Sequence, residues 1–194
     1  MISKNTSRVL LYLLRNIDEF GYNINQIAKL NKISVGSAFK ILKELEKNKI
    51  IIKKEISNAS HYKLNLENPE TTKLCELLLL TEKRNLKGYA KLYADEIIKF
   101  KDAEMIIIFG SVLTEKEFND VDVLFITDQT KKVNNFCLEI SKVRTKPVVP
   151  LIMKQEDLIT AMKKRKDAIL SMMKEGIVLR GESIFVETMK NVNS

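Results

Sequence analysis

The chain is poor in the residues that build metal and redox centres: one histidine, two cysteines and no tryptophan. A structural zinc site needs four ligands drawn from closely spaced Cys and His, and this sequence has no such cluster. Cys75 and Cys137 each sit in apolar, helix-like surroundings. They read as buried free thiols in a reducing, cytoplasmic compartment, and no disulfide framework is expected. With only three prolines and six glycines, low-complexity and repeat-like tracts are excluded. No apolar run approaches the ~20 residues of a membrane helix; Leu77-Leu78-Leu79-Leu80 is a helix segment at most. Arg8 and Arg15 punctuate the early apolar residues, so no secretory leader is expected.

What is present fits a globular protein. Hydrophobic residues make up 45% of the 194 and charged residues 30%, enough for one large or two small domains. The formal charge of +8 calls for an anionic partner. It is unevenly spread. Residues 25–66 carry nine lysines against Glu44, Glu46 and Glu55, an excess of six positive charges.

That basic region has a readable pattern. Val9, Leu10, Leu13, Leu14 and Ile17 recur at helical spacing. Asn25 can cap a short second helix carrying Ile27, Ala28 and Leu30. Lys32-Ile33 makes a tight turn, and Ser34 caps a third helix over residues 35–48, with Ala38, Ile41, Leu42 and Leu45 inward. A strand begins at Ile50. Ser57-Asn58-Ala59-Ser60 is a turn by composition. Tyr62, Leu64 and Leu66 then alternate with His61, Lys63 and Asn65, as a half-exposed strand should.

Three helices and a hairpin over residues 1–68 resemble the winged helix-turn-helix layout. The stretch from Ile33 to Lys47 is similar to the recognition helix of many bacterial and archaeal regulators. The resemblance implies that this helix enters the major groove of double-stranded DNA by its N-terminal residues. Ser34, Gly36 and Ser37 would allow close approach. Lys40 and Lys43 would reach bases or phosphates, and Lys53, Lys54, His61 and Lys63 would meet the backbone. The same pattern also fits a charged, solvated helix in a protein-interaction module.

The second half carries different chemistry. Asn68-Pro69-Glu70 breaks the chain, and Thr71 or Thr72 can cap a helix through Leu80. A longer helix is expected over 85–101. Strands follow at 104–109, 121–127 and 148–153, helices at 133–142 and 155–175, and a last strand at 177–179. The basic run Lys163-Lys164-Arg165-Lys166 reads as a solvated face, with acceptor nucleic acid as the other reading. The run Met105-Ile106-Ile107-Ile108-Phe109 ends abruptly in Gly110-Ser111, and a second apolar run begins Asp120-Val121-Asp122. Side chains alternate on a strand, so Asp120 and Asp122 point the same way, ~7 Å apart. Two carboxylates so placed suit Mg²⁺, which also binds substrate phosphates. Gly110 lets backbone approach a ligand, and Ser111 offers a hydroxyl and an N–H.

An apolar strand, Gly-Ser, a short stretch and then Asp-x-Asp in a second strand resemble the nucleotidyltransferase superfamily of DNA polymerase β, specifically its minimal nucleotidyltransferases. The resemblance covers residues ~85–185, and Glu175 to Gly181 looks like the strand that closes many such domains. It implies that Gly110 and Ser111 bind a nucleoside triphosphate and that Asp120 and Asp122 hold Mg²⁺. Two departures stand out. Val112-Leu113-Thr114-Glu115-Lys116 lacks the arginine many relatives carry after Gly-Ser. The strand Pro147 to Met153 lacks the third carboxylate often found in active relatives. Asp128 shares strand parity with Asp122 but lies ~20 Å along an extended chain. Glu139 and Glu156 would substitute only if the fold brought them in.

The expected architecture is α+β / α/β: a winged helix-turn-helix over 1–68, a helical connector over 69–102, and a nucleotidyltransferase-fold α/β domain with a small mixed sheet over 103–194. Two functions fit. One is an enzyme moving a nucleotidyl group to an acceptor, which could be protein, RNA or a small molecule; related toxin–antitoxin nucleotidyltransferases modify a protein partner. The other is a DNA-binding regulator whose degenerate second domain senses nucleotide or assembles a homodimer.

Overall fold

A computed structural model describes residues 2–16, 21–115 and 117–193. Among these are nine α-helices and two small sheets, of three and four strands. The chain divides into two compact units, one of residues 1–78 with 189–194, the other of residues 79–188.

In the first unit, α1 (Lys4–Arg15) starts at Ser3, whose hydroxyl accepts the Thr6 N–H, and buries Val9, Leu10, Leu13 and Leu14. The expectation for Ile17 falls outside the described residues. A two-residue strand, β1 (Tyr22–Asn23), precedes α2 (Ile24–Asn31). The cap of α2 is Asn23, not Asn25. Asn23 and Gln26 exchange side-chain and backbone bonds in a capping box, which satisfies two orphan amides together. Lys32 turns the chain in the left-handed region at φ 52°. Ser34 then caps α3 (Val35–Lys47) by accepting from Ser37. Ala38, Leu42 and Leu45 are buried on α3, and Ile41 is half-buried. The hairpin of β2 (Ile51–Ile56) and β3 (Ala59–Leu64) closes on Ser57-Asn58 alone, both at positive φ. That is the two-residue turn matched to strand twist, so Ala59 and Ser60 belong to the strand. The sheet is antiparallel in the order β1-β3-β2.

α4 (Pro69–Arg84) is capped by Asn68, not by Thr71 or Thr72. The Asn68 side chain accepts from Glu70 N–H, and its carbonyl accepts from both threonine amides. Pro69 occupies the first helical position, where its missing N–H costs nothing.

The second unit is built on the sheet β6-β5-β4-β7. β4 (Met105–Phe109) pairs antiparallel with β5 (Val121–Ile126) and with β7 (Ile177–Arg180). β5 runs parallel to β6 (Val148–Met153) through the crossover helix α6 (Thr130–Val143), so the sheet is mixed. Ile106, Ile108, Val121, Val123 and Phe125 pack on one face with α5 (Gly88–Ile97) and α6. Met105, Ile107, Leu124 and Ile126, on the other face, are also buried. Such a two-sided core explains the continuous apolar runs. α5 is shorter than expected because Gly88 breaks the chain at φ 57° and the helix ends at Ile97. The expected helix over 155–175 is two: α7 (Gln155–Lys163) and α8 (Asp167–Glu175), parted at Arg165 with φ 51°. The basic run begins at Lys163, the last residue of α7, and continues through the turn; all four residues are exposed, as a solvated run should be. α9 (Glu182–Asn193) follows Gly181. Cys75 and Cys137 are buried free thiols, and burial raises them to about 12 and about 11. Among the described residues no helix is long and apolar enough to cross a membrane.

Candidate functional site

β4 delivers the chain to Gly110, at φ 82° and ψ −160°. Only glycine adopts that conformation without strain. The antiparallel register sets Phe109 opposite Asp122. A Cβ on Gly110 would collide with the Asp122 carboxylate oxygen. Turn and carboxylate, twelve residues apart in sequence, thus lie in direct contact. Ser111 opens a 3₁₀ turn, Ser111–Leu113, whose first carbonyl accepts Thr114 and Glu115 at 3.0 and 2.8 Å.

The chain between the turn and the aspartates is pinned by Val112 and Phe118, both buried. The Phe118 ring meets Tyr89 and Tyr93 edge-on, with centroids 5.6 and 6.1 Å away. Phe118 stands two residues before Asp120, so α5 positions the approach to the carboxylate pair. Sequence reasoning missed this role, because an aromatic in a linker carries no periodic signal.

Asp120 immediately precedes β5 and Asp122 is its second residue; both are half-buried. Burial pushes the Asp122 carboxyl above the usual aspartate range, and the charge of Asp120 pushes it further. The structure therefore brings together Gly110, Asp120 and Asp122, with Ser111 adjoining in the turn.

The third position is empty of charge. Val149 of β6 stands beside Asp122 in the parallel register and is 44% exposed. Glu139 lies on the exposed surface of α6, paired with Lys142 at 2.6 Å. Glu156 opens α7 beyond the far end of β6, in a cleft with Asp102 and Asp128. Among the described residues, no three His, Cys, Asp or Glu side chains converge as a metal centre would require.

The raised Asp122 value has a testable sign. A carboxyl that holds its proton more tightly when folded disfavours folding once it ionises. The cost is absent below the ordinary aspartate range of ~3.9 and complete above the raised value. Asp122→Asn should therefore raise the melting temperature at pH 7 in metal-free buffer, and the gain should shrink toward pH ~4. Mg²⁺ should stabilise wild type and leave the Asn variant unmoved. Thermal melts with and without Mg²⁺ check both; an Asn variant less stable than wild type in metal-free buffer contradicts the charge-crowding account.

The second cluster of expected residues lies on the first unit. Gly36, Lys40, Lys43 and Lys47 are exposed and form one stripe along α3. Ser34 and Ser37 are engaged with each other, their hydroxyls 2.9 Å apart, as the helix cap. Lys53 and Lys54 fall on opposite faces of the hairpin. Lys53 pairs in register with the buried Tyr62 and holds Glu55 at 2.8 Å. Glu55 raises the Lys53 ammonium, and Lys53 in turn lowers the Glu55 carboxyl. Lys54 stands opposite His61, and Lys63 opposite Ile52, on the outward face. The structure thus groups Lys54, His61 and Lys63 and sets Lys53 apart. Sequence reasoning also passed over Phe39, which is 55% exposed on α3.

Fold and site define a mixed α and β protein, with a basic helical unit and a unit bearing a carboxylate pair on a mixed sheet. In comparison with known proteins, the chain matches no family model, no curated protein and no solved structure.

Proposed function

We propose that the second unit binds a Mg²⁺–nucleoside triphosphate as a nucleotidyltransferase does, and that the first unit binds duplex DNA. The observation that carries the first half is the contact between Gly110 and the Asp122 carboxylate. It places a backbone able to approach phosphate beside a carboxylate crowded by a second one. In this reading Asp120 and Asp122 hold the metal, while Gly110 and Ser111 hold the phosphates. A bound Mg²⁺ supplies charge neutralisation on the phosphate oxygens. The turn fixes the α-phosphorus for attack by an acceptor oxygen, with pyrophosphate leaving in line.

Val149 favours a second reading, in which the unit binds the nucleotide without turning it over and the chain acts as a nucleotide-sensing DNA-binding regulator. No carboxylate at that position takes the acceptor's proton. Positioning and charge neutralisation dominate this chemistry, so the two readings part at turnover and not at binding. Incubation with labelled triphosphates, Mg²⁺ and cell extract separates them. Label moving to a protein, RNA or small-molecule acceptor establishes the transferase. Retained nucleotide binding without transfer establishes the regulator.

The excess lysine of residues 25–66 supports the DNA half. Binding should fall steeply with salt, because each lysine–phosphate contact releases counterions. Lys40→Ala should weaken a preferred duplex more than random DNA, by ~1–3 kcal/mol, whereas Lys54→Ala should weaken both alike and flatten the salt slope by ~1. Fluorescence anisotropy across a salt series measures these. Absence of binding at low salt would assign the unit to protein interaction instead.

A further inference from the structure

The first two turns of α3 present an unusual exposed set. Val35 is 48% exposed and Phe39 is 55% exposed. They lie one helical turn apart, on neighbouring surface. Gly36 and Lys40 complete the exposed residues of these turns. The Ser37 hydroxyl accepts from that of Ser34. A Cβ added at Gly36 would meet nothing within 4 Å, so the helix surface there is open.

A large aromatic held in water is costly, since its apolar surface gains by burial. The core does not need Phe39: Ala38, Leu42 and Leu45 fill the inner face of α3. What surrounds Phe39 says what covers it. Lys40, Lys43 and Lys47 run along the adjacent stripe, with the exposed Glu46 two turns from Phe39 on its own line, within a segment carrying six excess positive charges. An apolar side chain beside a lysine stripe complements a polyanion that also offers apolar groups. Duplex DNA offers one such group at base edges in its major groove, the thymine C5-methyl.

We infer that Phe39, flanked by Val35, reads thymine methyl groups in the major groove, making it a specificity determinant of the first unit. The inference rests on the DNA-binding reading above. Lys40 and the Ser37 hydroxyl are the side-chain donors of these turns, so discrimination there falls to them and to apolar contact. The preferred duplex accordingly contains thymine at fixed positions, and removing a single methyl from it weakens binding.

The test uses the full chain. Enrichment from a random duplex library gives the preferred sequence. Anisotropy then compares that duplex with versions carrying deoxyuridine for thymidine at one position at a time, a change that deletes the methyl alone. For wild type, at least one such change should weaken binding about fourfold, the equivalent of ~0.8 kcal/mol for one methyl. Phe39→Ala should bind the thymidine duplex about tenfold more weakly and should no longer distinguish thymidine from deoxyuridine there. Phe39 is not part of the buried core, so the variant should keep the wild-type melting temperature, and its binding to random duplex should fall by less than its binding to the preferred duplex. Deoxyuridine tolerated at every position overturns the inference while leaving salt-dependent DNA binding intact. Phe39→Ala that weakens random and preferred duplexes equally overturns it as well. A dimer that becomes monomeric on Phe39→Ala in sedimentation assigns the patch to a second copy of the chain. No binding to any duplex at low salt removes the DNA-binding reading itself.

Discussion

Gly110→Ala is expected to cost about 1–3 kcal/mol of stability from backbone strain alone, because Gly110 sits at φ 82° and ψ −160°. A further cost comes from the new methyl, which occupies the place of the Asp122 carboxylate oxygen. Either Asp122 swings away or the turn shifts, and the proposed phosphate grip and metal pair come apart in both cases. Binding of Mg²⁺–nucleoside triphosphate should fall at least ~tenfold, the equivalent of one lost charged contact. The double variant Gly110→Ala with Asp122→Ala removes the collision but keeps the strain. Urea unfolding of the four proteins should then give a coupling of about 0.5–3 kcal/mol between the two positions, as expected for side chains in contact. Additive effects would show that turn and carboxylate are independent.

Val149→Asp should have the opposite sign for metal. Val149 stands in register beside Asp122 and is 44% exposed, so a carboxylate there remains wet. A third oxygen ligand should tighten Mg²⁺ or Mn²⁺ binding about 10- to 100-fold, since affinity of such sites follows ligand charge count. In metal-free buffer three crowded carboxylates should lower the melting temperature, and metal should restore it. If wild type transfers no label, this variant is where transfer should first appear. Calorimetry with the metal alone and the labelling assay measure the two effects. Unchanged metal affinity would mean that Val149 does not face the carboxylate pair.

Much of this arrangement was legible in the sequence, for definite reasons. β4 and β5 are buried on both faces, so they appear as continuous apolar runs, and Gly110 and Asp120 mark their ends. α3 was legible because a capping serine precedes a regular apolar period. β1 was not, since two residues carry no period and their pairing with Tyr62 and His61 is tertiary. The split between α7 and α8 was hidden because Arg165 turns the chain with no glycine or proline to mark it. Asn68 outcompeted the threonines after it because its side chain and carbonyl together serve three amides. At the site, the residue types were legible but the contacts were not. The approach of Gly110 to Asp122 depends on strand register. The lack of a carboxylate in 148–153 could be read directly, but that Val149 is the residue beside Asp122 required the parallel pairing of β5 and β6.

Asp120 and Asp122 are proposed to make a metal-dependent nucleotide site against the Gly110 turn. Isothermal titration of the full chain with a nucleoside triphosphate, with Mg²⁺ and with chelator, tests it most directly, using wild type and Asp122→Ala side by side. Wild type should bind only when Mg²⁺ is present, and Asp122→Ala should lose that binding while remaining folded by circular dichroism. No heat of binding to wild type at millimolar nucleotide, or equal binding by Asp122→Ala, would contradict it.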